Sequence, residues 1–294
     1  MTEEKNLIEN LVFEGGGVRG IAYAGAVEAL DSRGLLAGVR GVAGSSAGAF
    51  MALLLSLKNS PDEIAEALNP KHFKSLEDKP NPIRVATHYG LYKGEVLYDW
   101  IVAQLTQKGL SPDLTFEGLQ DEGARDLRVF ATDLTLCNTR QFSVEKTPKA
   151  SVVGAVRASM SIPLLYSAWQ FPNSIPDNHI YVDGGVVYNY PINAFDDGRG
   201  FNPRTLGFHF IKSLDTEPFA EVGLNNLFEF ANRLFATALR AQVIDLDQDI
   251  EESQQTVGID DLGFKATDFD ISDDGFERLY RSGYDATIKH LKVA

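Results

Sequence analysis

The chain has 294 residues, of which 44% are hydrophobic and 23% are charged, a balance typical of a globular protein rather than a disordered or fibrous one. Its 27 lysines and arginines face 41 aspartates and glutamates, and the resulting net charge of −14 argues against a nucleic-acid partner. A single cysteine, Cys137, excludes an intramolecular disulfide framework.

The hydrophobic pattern predicts strands that alternate with helices. In chain order we predict a strand at 11–13, a helix at 20–30, a strand at 39–43, helices at 47–57 and 61–68, a loop at 70–82, a helix at 95–105, a strand at 127–134, a helix at 149–159, strands at 180–182 and 204–211, and helices at 224–250 and 273–291. This alternation favours an α/β fold with a mostly parallel central sheet sandwiched by helices. Since no repeat or linker divides the sequence, we predict one domain over residues 1–294.

The negative charge is concentrated late in the chain. Between Ala241 and Asp285 there are 13 acidic and three basic residues, which carry most of the net charge of −14. We interpret the C-terminal part, about residues 220–294, as acidic and helical, and as a solubilising surface or a docking face for a protein partner or activator. Asp245, Asp247 and Asp249 lack the glycine and glutamate of a calcium loop, so we expect no metal.

The N-terminus resembles no Sec signal. Residues 1–11 carry three glutamates and lack a basic flank followed by an apolar run. The longest uncharged stretch, between Arg40 and Lys58, is broken by glycines and serines and is too short for a convincing membrane span. We therefore expect no transmembrane segment, and a protein that is cytoplasmic or translocated without a Sec signal.

A nucleophile motif follows the second predicted strand. Residues 44–48 read Gly-Ser-Ser-Ala-Gly, which fits G-x-S-x-G, and a helix is predicted to begin directly after Ser46. In a nucleophile elbow the serine occupies a strained strand-to-helix turn, and Gly44 and Gly48 avoid steric clash around it. The helix N-terminus would also favour negative charge at the serine oxygen. The alternative is a glycine-rich turn without chemistry.

A second glycine-rich block follows the first predicted strand. Gly15, Gly16 and Gly17 can present backbone N–H groups to an anion, as an acyl-transfer intermediate requires. With Gly20 the block also fits G-x-G-x-x-G, the pattern of a dinucleotide-binding fold. That fold requires an acidic residue about 20 positions on, and none lies between Ser32 and Pro61, although Arg40 could meet the 2′-phosphate of NADP.

An aspartate beside two glycines follows the short strand at 180–182. Asp183, Gly184 and Gly185 allow a carboxylate to approach another segment of backbone closely. A buried aspartate near a serine hydroxyl can act as a general base, whereas an isolated aspartate of this kind is more often a turn residue.

These three blocks, in this order, resemble the patatin-like phospholipases. The similarity covers roughly residues 11–190 and includes the stretches Arg157 to Pro163 and Asn189 to Pro191, while Glu14 stands where relatives often have aspartate. The resemblance implies a three-layer architecture related to the α/β-hydrolases. It also implies that Ser46 and Asp183 form a catalytic dyad without a cofactor, and that Gly15, Gly16 and Gly17 form the oxyanion hole.

The resemblance implies a lipid acyl hydrolase of the phospholipase A or lysophospholipase type, which acts through an acyl-enzyme and meets a membrane or micelle surface transiently. The low charge outside the acidic segment is compatible with such a substrate. Arg19 would steady the glycine block, meet a lipid phosphate or remain solvated. Two other functions stay open: an NADP-binding Rossmann-type protein and a catalytically silent interaction module.

Two further features of the sequence allow more than one interpretation. The order Ser46, Asp183 and His209 would suit an α/β-hydrolase triad, but the alternation of residues 204–211 places His209 in a sheet, which favours a structural histidine. The apolar residues Leu164, Leu165, Tyr166, Trp169 and Phe171 fit an acyl pocket or, more often for such residues, a buried core.

Overall fold

A seven-stranded mixed sheet forms the centre of the protein, in a computed structural model that describes residues 8–198, 200–211, 227–246 and 254–293. The strands are β1 (Asn10–Phe13), β2 (Gly41–Ser45), β3 (Gly90–Tyr92), β4 (Asp126–Asp133), β5 (Asn138–Phe142), β6 (Leu164–Tyr166), β7 (Tyr181–Val182), β8 (Thr205–Ile211) and β9 (Thr256–Asp260). The helices are α1 (Ile21–Ser32), α2 (Ala47–Ser56), α3 (Pro61–Ala67), α4 (Pro70–Phe73), α5 (Pro82–His88), α6 (Glu95–Gln107), α7 (Phe116–Asp121), α8 (Val152–Ser159), α9 (Leu227–Leu246) and α10 (Asp273–Val293).

The order of the main sheet is β5-β4-β2-β1-β8-β9, and β7 also pairs with β4. Strands β4, β2, β1, β8 and β9 are parallel, whereas β5 and β7 run antiparallel to β4. Strands β3 and β6 form a separate two-stranded parallel sheet. Because the carboxyl ends of parallel strands lie at one edge, and Phe13 pairs with Gly44, the glycine block and the nucleophile motif meet at that edge.

Alternating side chains of the parallel strands supply two cores. Leu11 and Phe13 of β1 belong to a large cluster with the residues of α1 and α2, whereas Val12 and Ala43 belong to a smaller cluster that includes Phe195. The two clusters lie on opposite faces of the sheet because successive strand residues point in opposite directions. The predicted mostly parallel sheet flanked by helices is confirmed.

Helices α10 and α1 pack closely against each other at two glycines. A Cβ placed on Gly25 of α1 would lie 1.9 Å from the carbonyl oxygen of Tyr280, and a Cβ on Gly283 of α10 would lie 1.8 Å from that of Ala22. Backbone therefore packs against backbone at both places, and any larger residue would push the helices apart. The last helix is in this way part of the same packed unit as β1 and α1.

The predicted elements are found in most of the described chain, with shifted ends. The loop predicted at 70–82 contains the short helix α4, and the prediction missed α5, α7, β3, β5, β6 and β9. Strand β9 pairs in parallel with β8 at the sheet's edge. The helix predicted at 224–250 is described over α9; Asp247 and Asp249 lie outside the described residues, as does the side chain of Asp245.

Within the described part of the chain, every helix is too short or too polar to cross a bilayer.

We expect Gly283→Ala to lower the free energy of unfolding by roughly 1–3 kcal/mol, as overpacking does. Alanine favours a helix by about 1 kcal/mol over glycine, so a stabilised variant would contradict the close α1–α10 contact. Urea unfolding measures the difference. Asp285→Ala, on the exposed face of the same helix, is the matched control and should change stability little.

Candidate active site

Ser46 lies in a strained turn between β2 and α2. Its backbone angles, φ 53° and ψ −125°, belong to a region that residues other than glycine rarely occupy. A Cβ on Gly44 would lie 2.2 Å from the carbonyl oxygen of Gly48, and a Cβ on Gly48 would lie 2.2 Å from that of Phe13. The two glycines of the motif are therefore required for the turn to close against β1, as a nucleophile elbow needs.

The hydroxyl of Ser46 donates a 2.6 Å hydrogen bond to Oδ2 of Asp183. The other carboxylate oxygen, Oδ1, accepts a 2.8 Å hydrogen bond from the amide of Gly185. Both side chains are buried, with Asp183 exposed by 1% and Ser46 by 7%. The structure thus brings together two residues that lie 137 positions apart, in direct contact and with no histidine between them.

Hydrogen bonds to both the carbonyl and the amide of Asp183 fix its backbone. The hydroxyl of Thr132 in β4 donates to the Asp183 carbonyl at 2.9 Å, and the Asp183 amide donates to the carbonyl of Ser161 at 2.8 Å. A Cβ on Gly184 would lie 2.1 Å from Oγ of Ser45. Gly184 therefore allows the turn that carries Asp183 to pack against the end of β2, next to Ser46.

Burial raises the pKa of Asp183 from its ordinary 3.8 to about 7. The hydrogen bonds from Ser46 and Gly185 act in the opposite direction, because they stabilise the ionised form. A carboxylate with a pKa near neutrality accepts a proton more readily than an ordinary aspartate does, which suits a general base.

The amides of the glycine block are not equally available. Gly15 donates its N–H to the carbonyl of Asn189 at 3.0 Å, so the prediction that all three amides can bind an oxyanion is wrong for Gly15. A Cβ on this residue would also meet Oδ1 of Asn189 at 2.3 Å and the Cβ of Ser46 at 3.1 Å. In the part of the chain that the structure describes, the amides of Gly16 and Gly17 have no hydrogen-bond partner.

A buried carboxylate that the sequence analysis left without a role supports this block. Glu14, 5% exposed, accepts hydrogen bonds from the Asn189 side-chain amide and from the Phe210 backbone amide, each at 2.7 Å. His209 Nδ1 lies 2.9 Å from the same carboxylate, on β8. The predicted sheet position of His209 is confirmed, and its ring lies beside Glu14.

Ser159 is a further residue whose role sequence reasoning missed. Its hydroxyl accepts a 2.8 Å hydrogen bond from the Ser46 amide and donates a 2.5 Å hydrogen bond to the carbonyl of Phe130. It thereby fixes the backbone of the strained residue to the neighbouring strand β4. Ser159 and Asn189 both fall in stretches that resemble the family, which was the available signal.

Arg19 steadies the glycine block. Its Nε donates to the Gly16 carbonyl at 3.2 Å, its guanidinium pairs with Asp261 at 3.3 Å, and it lies over the ring of Phe210. Of the three roles considered for Arg19, the structure supports the first. Asp261 belongs to the acidic segment, so at least one of those acidic residues has an internal partner.

A narrow apolar pocket with an accessible volume of about 30 Å³ lies beside Ser46 and Gly17. Phe50 and Met51 of α2 line it, together with Trp100 of α6, and Tyr166 and Phe269 also contribute. Of the apolar residues considered for an acyl pocket, Leu165 and Phe171 are buried in the core instead. A space of this size holds only a small group, and a longer chain would need the lining side chains to move.

Comparisons with known proteins concern the family and the fold. Residues 11–196 match the family model described as patatin-like phospholipase. The chain is 31% identical over 241 residues to the uncharacterized protein YqhO of Bacillus subtilis (strain 168), covering 77% of this chain and 78% of that protein. It is 27% identical over 187 residues to the probable lipid hydrolase 463L of invertebrate iridescent virus 6, covering 63% of this chain and 62% of that protein.

Two solved structures share the fold at low sequence identity. VipD from Legionella pneumophila aligns with a TM-score of 0.61 and 17% identity, over 97% of this chain and 67% of VipD. ExoU from Pseudomonas aeruginosa, solved in complex with SpcU, aligns with a TM-score of 0.55 and 17% identity, over 98% of this chain and 53% of ExoU. The chain thus spans about half of ExoU.

The chain belongs to the patatin-like phospholipase family. The dinucleotide alternative finds no support at the glycine block, because the Val18 amide donates to the Ala266 carbonyl at 3.0 Å. A Cβ on Gly17 would lie 2.0 Å from the same oxygen, so the backbone at Ala266 packs directly against the glycine block.

We expect Asp183→Asn to stabilise the fold at and above neutral pH. The folded-state pKa of Asp183 is raised to about 7, so the fold holds a proton that the unfolded chain releases above 3.8. The wild type therefore loses stability as the pH rises from about 3.8 to 7, and the asparagine variant does not. Above that range the variant should gain on the order of several kcal/mol in free energy of unfolding.

Urea unfolding of both proteins across this pH range measures the effect. The two proteins should approach equal stability in acid, where the aspartate is neutral in both states. A difference that is constant with pH, or a less stable variant above neutrality, would contradict the assignment of a buried carboxylate with a raised pKa.

Proposed function

We propose that this protein hydrolyses carboxylic ester bonds of lipids through a Ser46–Asp183 dyad. The observation that carries the proposal is the buried 2.6 Å hydrogen bond from the Ser46 hydroxyl to the Asp183 carboxylate. It lies at the N-terminus of α2 and beside an apolar pocket. Membership of the patatin-like phospholipase family and similarity to a probable lipid hydrolase support the lipid substrate class.

The reaction begins with proton transfer from Ser46 to Asp183. As the serine oxygen forms a bond to the ester carbonyl carbon, its proton moves to the carboxylate, and the carbonyl oxygen becomes an oxyanion. Protonated Asp183 then gives this proton to the departing alcohol, which leaves an acyl-serine. In the second half a water molecule loses its proton to Asp183 and attacks the acyl group, and the proton returns to Ser46 as the fatty acid leaves.

We assign oxyanion binding to the amides of Gly16 and Gly17. Both lack a partner among the described residues, and Gly17 lines the same pocket as Ser46. Fixed donors aimed at the developing charge stabilise the transition state more than the ground state. Arg19, Gly15 and Gly20 would hold the block in place, and the N-terminus of α2 adds a favourable field.

The exposed apolar side chains near the site fit a transient contact with a membrane or micelle surface. Val187, in the turn after Asp183, is 44% exposed, and Leu134 and Leu136, directly after β4, are 47% and 54% exposed. Because β4 is parallel to β2, its carboxyl end lies at the same sheet edge as Ser46. A lipid surface that met this edge would present its ester groups near the nucleophile.

Ser46→Ala and Asp183→Asn should each lower ester turnover by at least about a thousandfold, because each removes one member of the dyad. His209→Gln should keep most of the turnover, since His209 contacts Glu14 rather than Ser46. Release of p-nitrophenol from its butyrate ester measures the rates, and Ser32→Ala at the exposed end of α1 is the control serine.

Loss of turnover in His209→Gln, with the fold intact by circular dichroism, would indicate a triad and overturn the dyad. Turnover that survives in Ser46→Ala would place the chemistry elsewhere. A folded wild type with no turnover on any lipid or ester, and no reaction with a fluorophosphonate, would favour the catalytically silent interaction module.

The pH profile is a separate test of Asp183 as the base. Only its ionised form accepts a proton, and its pKa is raised to about 7, so kcat/KM should rise with pH and level off above a midpoint near 7. Initial rates on the butyrate ester across the pH range give this profile. A profile flat from acid to neutral pH would contradict the raised pKa.

A further inference from the structure

A tryptophan lines the apolar pocket that includes Ser46. Trp100 of α6 is buried, with 7% of its surface exposed, and its ring stacks on Phe50 at a centroid distance of 4.0 Å. Its indole N–H donates to the Ala67 carbonyl at 3.2 Å, and Phe73 packs edge-on at 5.7 Å. The ring is therefore fixed in place by aromatic neighbours and a hydrogen bond.

Trp100 also lines a second cavity. This outer hollow, with an accessible volume of about 610 Å³, is lined by Asp62, Glu66 and Asp99 as well as His72 and Gln104. Acidic side chains therefore line part of the hollow and none lines the pocket at Ser46, although much of the hollow's surface is also apolar. Trp100 is shared between the linings of the two cavities.

The pocket is short in the direction of α2. Ser46 and Phe50 are four residues apart, which is about 6 Å along a helix axis. The acyl chain of a membrane lipid spans about half of the roughly 30 Å hydrocarbon core of a bilayer. A chain attached to Ser46 would meet the Phe50–Trp100 pair well before it reached such a length.

We propose that Trp100 closes the end of the pocket and limits the length of the acyl chain that the protein accepts. Substrates with short and medium chains should therefore react faster than those with long chains. This inference rests on the proposed function, since it assumes an acyl group on Ser46. A longer chain would have to displace the indole and enter the wider outer hollow, which carries acidic side chains and would remove less of the chain from water. Removal of the indole would join the two cavities into one passage.

The first experiment compares chain-length profiles. Rates on p-nitrophenyl butyrate, octanoate, laurate and palmitate are measured for the wild type, Trp100→Ala and Trp100→Phe. We expect Trp100→Ala to raise the palmitate-to-butyrate ratio of kcat/KM by roughly tenfold or more, as pocket contacts of this size allow. Trp100→Phe keeps an aromatic wall and should shift the ratio far less. Trp169→Phe, outside the pocket lining, is the matched control.

An unchanged ratio in Trp100→Ala, with butyrate turnover retained, would overturn the inference and leave the proposed function standing. Absence of turnover in the wild type would instead count against the proposed function.

The second experiment needs neither turnover nor a substitution at Trp100. The chain contains two tryptophans, so Trp169→Phe leaves Trp100 as the single fluorophore, and Ser46→Ala is added to prevent reaction. Fatty acids brominated at the terminal carbon are titrated into this double variant. We expect quenching to be strongest at a medium chain length, where the bromine reaches the indole. Equal quenching at all lengths, or none, would contradict Trp100 as the end wall.

Discussion

The short hydrogen bond between Ser46 and Asp183 is the contact on which the arrangement of this protein depends. Its two ends come from different parts of the chain: the turn after β2 and the turn after β7. Glycines at 44, 48 and 184 allow backbone to approach backbone around it, and Ser159 and Thr132 hold the two backbones in place. The site is accordingly a product of close packing at one sheet edge.

That packing has a free-energy cost, which the surrounding structure offsets. Ser46 is held in a strained conformation, and Asp183 is buried where its charge is poorly solvated, which raises its pKa. Strain and a perturbed carboxylate in the same place are typical of sites where function, rather than stability, determines the residues. The large core formed by α1, α2 and the sheet supplies the stability that this arrangement requires.

Much of this site could be predicted from the sequence. The hydrophobic pattern predicts where the strands end, and the motif residues follow these ends directly. The support around it could not: Glu14, Asn189 and Phe210 are distant in sequence and meet only through the parallel register of β1 and β8. Likewise, periodicity placed Trp100 on a helix but gave no information about the two cavities that it lines. Strand β9 was missed because its position at the sheet's edge depends on β8.

The acidic C-terminal part contributes contacts at the site in addition to surface charge. Asp261 pairs with Arg19, Ala266 accepts a bond from Val18, and Phe269 lines the pocket, so this part of the chain completes the site although it lies beyond the family match at residues 11–196. Its role as a docking face for a partner or activator stays a prediction.

The central claim, a serine nucleophile activated by a buried aspartate, is tested most directly by intact-mass and peptide mapping after treatment with an alkyl fluorophosphonate. We expect one adduct per chain, located on Ser46, that forms quickly in the wild type and far more slowly in Asp183→Asn. An adduct on another residue, or equal rates of labelling in the two proteins, would contradict it.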